Sequence, residues 1–178
     1  MKHFNKRVAD KCVIDAKQPF ERVSTDIYGP FSTEDFVHNE NSEMGYFITF
    51  TDIYTRITRV KFVSKITAKD LIKAVKEWII LYRRPKVLIM DNGVQYTSNK
   101  FKGFLAKSSI ECRYIPKYTP SSNGVSERLN IAISEMLRMN KGQNIAMVVK
   151  KIHHKLNENH HTTNSLYTKF FDYRYSFL

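Results

Sequence analysis

An α/β domain, a mixed sheet with helices packed on it, is what this 178-residue sequence predicts. Three observations point there. Three strand-like runs come first, then helix and strand alternate, and helical stretches close the pattern. The length suits one domain with a single core. Finally, no apolar run approaches the length of a membrane span, so a soluble chain with no membrane contact is expected.

The elements follow in order. Residues 1–19 are polar and basic and read as a lead-in. "ERVSTDIYG" (21–29) is the first strand. "FSTEDFVHNENSEMG" (31–45) holds Glu34, Asp35, Glu40 and Glu43 and reads as a solvated surface loop. "YFITFTDI" (46–53) and "TRVKFV" (58–63) are rich in Phe, Ile, Val and Thr, and their short link predicts a hairpin. In "TAKDLIKAVKEWIILYRR" (67–84), Thr67 and Asp70 form a capping-box pattern, and Leu71, Ile72, Val75, Trp78 and Ile79 recur on one helical face. Pro85 is a fitting stop, and Trp78 reads as a core anchor. A buried strand at 86–90, a helix over 98–107 and a strand at 111–115 come next. The stretch 116–124 reads as a loop and 125–141 as a helix whose Val125, Leu129, Ala132, Ile133 and Met136 face inward. Gly142 can end that helix. A third helix covers 144–161.

Charge narrows the partner. Lys and Arg total 29 against 17 Asp and Glu, a formal +12 with pI near 9.7. So basic a domain fits a polyanion, nucleic acid before a basic subunit of a larger complex. The two cysteines, Cys12 and Cys112, in a chain without a signal peptide read as reduced.

Three acids sit where an apolar element would be easier to build without them. Asp26 lies within the first strand, Asp91 ends the strand "LIM", and Glu127 opens the helix after the loop. Each has a plain alternative: a satisfied strand acid, a turn residue in Asp-Asn-Gly, and an acid favoured by the helix dipole. Were the first and fourth strands neighbours, Asp26 and Asp91 would approach each other, and cations would have to relieve their repulsion. Two divalent ions do this in a known catalytic arrangement, and an all-carboxylate set suits Mg²⁺ or Mn²⁺ better than zinc.

"VSTDIYGPF", "IMDNGVQYTSNKF" and "YTPSSNGVSERLN" resemble, in order and spacing, the three motifs of the retroviral-type integrase core, especially that of gypsy-type LTR retrotransposons. Between Asp91 and Glu127 lie 35 residues, the gap of the D,D(35)E signature. The likeness runs from about residue 20 to 172. It implies an RNase H-like fold with a five-stranded mixed sheet flanked by helices. It further implies endonucleolytic 3′-end processing and DNA strand transfer of a retroelement, with two Mg²⁺ (or Mn²⁺) held by Asp26, Asp91 and Glu127. Element ends and target duplex DNA are the implied partners, with at least a homodimer, in the nucleus or a cytoplasmic pre-integration complex.

By the same resemblance, Asn123 and Gly124 shape the flexible loop that places Glu127. Arg128 braces the helix start, and Asn130, one turn on, lies on the DNA-facing side. Lys117, Tyr118, Ser121 and Ser122 are expected on phosphate oxygens, and Arg138, Lys141, Lys150, Lys151 and Lys155 could extend that track. Asp52 reads as a turn acid. His153, His154, His160 and His161 read as helix surface and helix end, since no Cys stands at zinc-finger spacing.

The sequence departs from the family in places. Ala9 stands where a C-x-x-C partner of Cys12 would be, Gln95 where an acid is frequent, and Tyr167 where Pro is frequent. The expectation is a core alone: 1–19 a remnant of an N-terminal module, 20–172 the catalytic core and 173–178 a tail. The competing expectation is a decayed or domesticated domain that binds DNA without chemistry.

Overall fold

The computed structural model of the chain describes residues 16–37, 43–115 and 120–158, and only the backbone of 120–126. In order come β1 (Arg22–Ser32), β2 (Met44–Asp52), β3 (Thr58–Val63), α1 (Ala68–Leu81), β4 (Val87–Met90), α2 (Val94–Thr97), α3 (Asn99–Lys107), β5 (Glu111–Tyr114), α4 (Pro120–Met139) and α5 (Ile145–Asn157). The strands form one sheet in the order β3-β2-β1-β4-β5. β1 is central, antiparallel to β2 and parallel to β4. This is the five-stranded mixed sheet expected from the sequence.

Helices cover both faces. Val23, Ile48, Phe50, Leu88 and Met90 join Leu71 and Trp78 of α1 and Phe101 and Leu105 of α3 in one cluster. Phe47 and Val60 join Ile133 and Leu137 of α4 and Val148 and Ile152 of α5 in the other. β4 is buried along its whole length, which is why its sequence runs apolar without alternation. The capping box of α1 is present, with Thr67 accepting from the Asp70 amide and Asp70 answering the Thr67 amide. Trp78 is a core anchor, 2% exposed.

Several expectations are corrected. The 31–45 stretch is not simply a solvated loop: β1 runs on to Ser32, Thr33 and Phe36 are buried, and Val37 bridges to Asn144. Phe31 and Phe36 supply apolar area that the second cluster needs, and this outweighs the polar composition around them. Asp35 pairs with Lys141 at 2.8 Å, while residues 38–42, with Glu40, lie outside the described residues. α4 starts at Pro120 rather than at 125. A proline suits the first helical position because its missing N–H would have no partner there and its φ is already helical. Gly142 does close the segment after α4, in the left-handed region at φ +79, its amide donating to the Asp35 carbonyl.

His153 is the clearest revision. It is half-buried rather than on the surface, and its Nε2 stands 2.6 Å from the Val60 amide and 2.8 Å from the Val60 carbonyl. Asn157 accepts from the Thr58 amide and donates to the Thr58 carbonyl, both at 2.9 Å. Four residues of α5 span about 6 Å and two strand residues about 6.8 Å, so side chains four apart meet backbone groups two apart. α5 thereby closes the open edge of β3, where unpaired backbone would otherwise invite another strand.

Candidate active site

The site is built where β1 and β4 run side by side. Their parallel register pairs Arg22 with Val87, Val23 with Leu88 and Ser24 with Ile89. Carried two residues further, just past the end of β4, the same offset would set Asp26 level with Asp91. Alternation sends both to one face. Val23 and Ile27 belong to the α1–α3 side, so Asp26 points with Tyr28 toward α4. Likewise Leu88 and Met90 face α1–α3, which turns Ile89 and Asp91 the other way.

Local bonds hold each carboxylate. The Ile27 amide donates to Asp26 Oδ1 at 2.9 Å, and Thr49 Oγ1 donates to the Asp26 carbonyl at 3.1 Å. The Gly93 amide donates to Asp91 Oδ1 at 2.8 Å, the turn that Asp-Asn-Gly predicts. Asp91 is therefore a turn residue, at the end of the strand next to β1. A Cβ at Gly93 would stand 2.9 Å from Asp91 Oδ1 and 3.3 Å from Gln95 Oε1, so a side chain there would push the carboxylate aside.

Tyr96 was not singled out by the sequence, although it lies within the second motif. It is 1% exposed, its hydroxyl 3.2 Å from Thr25 Oγ1. Burial raises its pKa above the ordinary tyrosine value; the Thr25 bond opposes this, and the charges of Asp26 and Asp91 push it further up. One buried hydroxyl thus feels both carboxylates. The available signal was an aromatic five residues after Asp91, on a one-turn helix that must anchor back to the core.

Glu127 is exposed and sits in the interior of α4, the eighth residue of a helix that begins at Pro120. Its expected place at the helix start is corrected, and the dipole explanation goes with it, since that effect fades within the first turn. Seven residues on, Ser134 lies on the same stripe of α4, and its Oγ is 2.8 Å from the Tyr28 hydroxyl of β1. Between them, Asn130 is half-buried, with its Oδ1 enclosed and without a hydrogen-bond partner among the described residues. Arg128 is exposed. The backbone at Ser121, Ser122, Asn123 and Gly124 is helical, not the flexible loop expected; Lys117 and Tyr118 lie outside the described residues.

Among the described residues, no three His, Cys, Asp or Glu side chains stand together as a metal-holding group. Asp26 lies within β1, Asp91 directly follows β4 on the neighbouring strand, and Glu127 lies on α4. Asp52 is a turn acid, fully buried, accepting from the Phe20 and Thr55 amides and the Thr55 hydroxyl, and burial raises its pKa. Of the track along α4 and α5, Lys141 is paired with Asp35, Lys151 reaches Asn140 and Gln143, and Lys155 reaches Glu158. His154 is exposed beside Glu158, while His160 and His161 lie outside the described residues. Cys112 is a free thiol, and Cys12 is likewise outside them.

Comparison with known proteins points to one family. The profile described as "Integrase core domain" matches residues 16–120. The Ty1-DR4 Gag-Pol polyprotein of the yeast Saccharomyces cerevisiae is 34% identical over 120 residues, covering 64% of this chain and 7% of the polyprotein. The Ty1-DR5 polyprotein of the same yeast matches at 34% over 120 residues, 64% of this chain and 6% of its own. The chain therefore spans a small part of these relatives' length. Among solved structures, the simian T-cell lymphotropic virus intasome in complex with PP2A regulatory subunit B56 gamma aligns with a TM-score of 0.64 and 19% identity, over 82% of this chain and 50% of that one. The HTLV-2 integrase catalytic core domain in complex with magnesium, in its trimeric form, aligns with a TM-score of 0.63 and 17% identity, over 80% and 88%. These structural likenesses establish the RNase H-like fold.

Proposed function

The chain belongs to the integrase core domain family, and from that premise we propose that it is the catalytic core of a retroelement integrase. It would act as a divalent-metal-dependent polynucleotidyl transferase that trims the element's 3′ ends and joins them to target DNA. What supports this reading is the parallel register of β1 and β4: continued two residues past Ser24–Ile89, it would set Asp26 level with Asp91 on the side toward α4. Two carboxylates side by side repel, a cost that a purely structural pair has no reason to bear without a cation between them.

The donors fit such a cation. They are oxygen ligands throughout, the set that Mg²⁺ or Mn²⁺ takes. Asp26 and Asp91 would hold it, with Glu127 as the third ligand. When bound, a pair of these ions supplies activation of the attacking oxygen and stabilisation of the leaving one. The protein's part is to fix the acids: the Ile27 and Gly93 amides orient the two carboxylates, and the Thr25–Tyr96 contact buttresses the strands beneath them. The Tyr28–Ser134 contact ties α4 to β1, so the stripe of Glu127, Asn130 and Ser134 runs along the face that Asp26 points to.

Arg128 and Asn130, with Lys117, Tyr118, Ser121, Ser122 and Asn123, are assigned to DNA, most of it through phosphates. The core would span residues 20–172, assemble at least as a dimer and work in the nucleus or a cytoplasmic pre-integration complex. The finer placement among gypsy-type elements rests on the three motifs alone, since the curated relatives above are Ty1 elements.

Incubation of the purified chain with branched, disintegration-type DNA in Mg²⁺ or Mn²⁺ tests the proposal. Metal-dependent cleavage that disappears in Asp26→Asn, Asp91→Asn and Glu127→Gln is expected; unchanged activity in Asp91→Asn overturns the assignment. A second reading, a DNA-binding domain without chemistry, draws on the exposed Glu127 and the missing three-acid group among the described residues. It requires DNA binding that survives with no cleavage by the wild-type chain in either metal.

A further inference from the structure

The chain's positive charge is distributed unevenly. Residues 65–107 hold ten Lys and Arg against three Asp and Glu, a net +7 of the chain's +12. Topology puts most of it on one side of the sheet, because α1 and α3 pack together on the face opposite α4 and α5. Asp26 and Asp91 point away from that side.

On α1 the exposed positions recur at helical spacing. Lys69, Lys73 and Lys76 form one solvent-facing stripe over two turns, about 10 Å. On α3, Lys100, Lys102 and Lys107 are exposed as well. The two helices are joined at the surface by Lys76, whose Nζ lies 5.8 Å from the Phe104 ring centroid, and Lys102 sits in the same way 5.8 Å over Tyr114. Between these cations α3 exposes only the small Gly103 and Ala106, so nothing bulky keeps a flat partner away.

Some lysines elsewhere are paired. Lys61, Lys86, Lys141 and Lys155 each have an acidic partner. Among the described residues, none of the six α1 and α3 lysines has one. Of the acids on α1, Asp70 is engaged in the capping box and Glu77 by Lys61. Like charges crowded along two adjacent helices repel each other, and a second copy of the same face would add to that repulsion. A partner carrying regularly spaced negative charge removes it. A nucleic-acid strand presents one phosphate per 3.4 Å of duplex axis, so the Lys69–Lys76 stripe alone meets about three.

We propose that the α1–α3 face is a second, sequence-independent binding surface for the phosphodiester backbone of duplex DNA, on the side of the sheet away from Asp26 and Asp91. It holds DNA by charge, without base contacts. It does not depend on catalysis, so its failure and that of the proposed activity are separable.

The test uses the full chain and a 30-base-pair duplex of arbitrary sequence, with binding followed by fluorescence anisotropy across a salt series. Amine acetylation with and without DNA then locates the binding face by mass spectrometry. Lys69→Gln/Lys73→Gln/Lys76→Gln changes only exposed side chains, and an unchanged melting temperature checks that it folds. Expected are protection of Lys69, Lys73 and Lys76 by DNA in both wild type and Asp91→Asn, and at least a tenfold weaker affinity of the triple variant. The slope of log K against log salt should become shallower by about 2–3, near 0.9 for each phosphate that the variant leaves unneutralised. Unprotected lysines, or an unchanged affinity and slope, overturn the proposal. So does equal competition by phosphatidylserine vesicles at matched charge, which would make the face a general anion or membrane surface.

Discussion

The Gly93 amide donates to Asp91 Oδ1 at 2.8 Å, and a side chain at position 93 would meet that same oxygen at 2.9 Å. The turn and the carboxylate therefore depend on each other. Gly93 has an ordinary backbone conformation, φ −57, so alanine there carries no backbone strain, only the close approach. Gly93→Ala should swing the Asp91 carboxylate aside while costing about 1 kcal/mol of stability or less. Cleavage of branched DNA should fall at least tenfold with a melting temperature within a few degrees of wild type. A fully active Gly93→Ala enzyme would mean that Asp91 does not need this orientation.

The proposed metal site at Asp26 and Asp91 makes the effect of metal measurable without any turnover. A cation that binds only the folded chain stabilises it by about 2.7 kcal/mol at a hundred times its dissociation constant. Mg²⁺ or Mn²⁺ should therefore raise the wild-type melting temperature by several degrees. Asp26→Asn removes one of the two like charges, so in the presence of chelator it should melt at or above wild type, yet gain nothing from metal. Differential scanning fluorimetry of both proteins with EDTA and with Mn²⁺ gives the comparison. Equal metal responses in the two would separate Asp26 from any metal site.

Much of this was legible in the chain itself. β3 was delimited to the residue, and α1 with its Thr67–Asp70 box nearly so, because alternation and capping are local patterns written within a few residues. Asp26 and Asp91 could be proposed as a pair only on the condition that β1 and β4 be neighbours; the strands are neighbours, and that is a property of the sheet order rather than of either segment. What failed was of the same long-range kind. His153 reads as surface until β3 is known to be an edge that α5 covers, and Tyr96 reads as a motif residue until Thr25 is beside it. The start of α4 was missed for a different reason: Pro, Ser, Asn and Gly favour loops on average, and Pro120 used its fixed φ to begin a helix instead.

Tyr96→Phe isolates the buttress beneath the acids. The ring stays in the core and only the hydroxyl is removed, leaving Thr25 Oγ1 without that partner. A buried hydrogen bond of this kind contributes about 1 kcal/mol. In urea, the unfolding midpoint should drop with no change in the slope of free energy against denaturant, since the surface exposed on unfolding is unaltered. The metal response should persist, because both carboxylates remain. Loss of the metal response in Tyr96→Phe would show that the hydroxyl is needed to set their positions.

His153 makes stability depend on pH in a window set by its shift. Burial, aided by the nearby Arg59 charge, pulls its pKa down to about 4 from the ordinary 6.5, while the Val60 contact works in the other direction. The folded chain thus keeps the ring neutral where the unfolded chain would protonate it. The unfolded state binds the extra proton between the two values, so stability is full above about pH 6.5 and is lost progressively as pH falls toward 4. Two and a half units correspond to about 3 kcal/mol at most. Below pH 4 the folded protein is protonated too, the ring can no longer accept from the Val60 amide, and this contribution stops changing. Urea melts at pH 7, 5.5 and 4 should show the decline, and His153→Gln should flatten it, because glutamine can still donate to or accept from Val60 yet does not titrate. A pH profile that is equally steep in His153→Gln would assign the acid sensitivity to other groups.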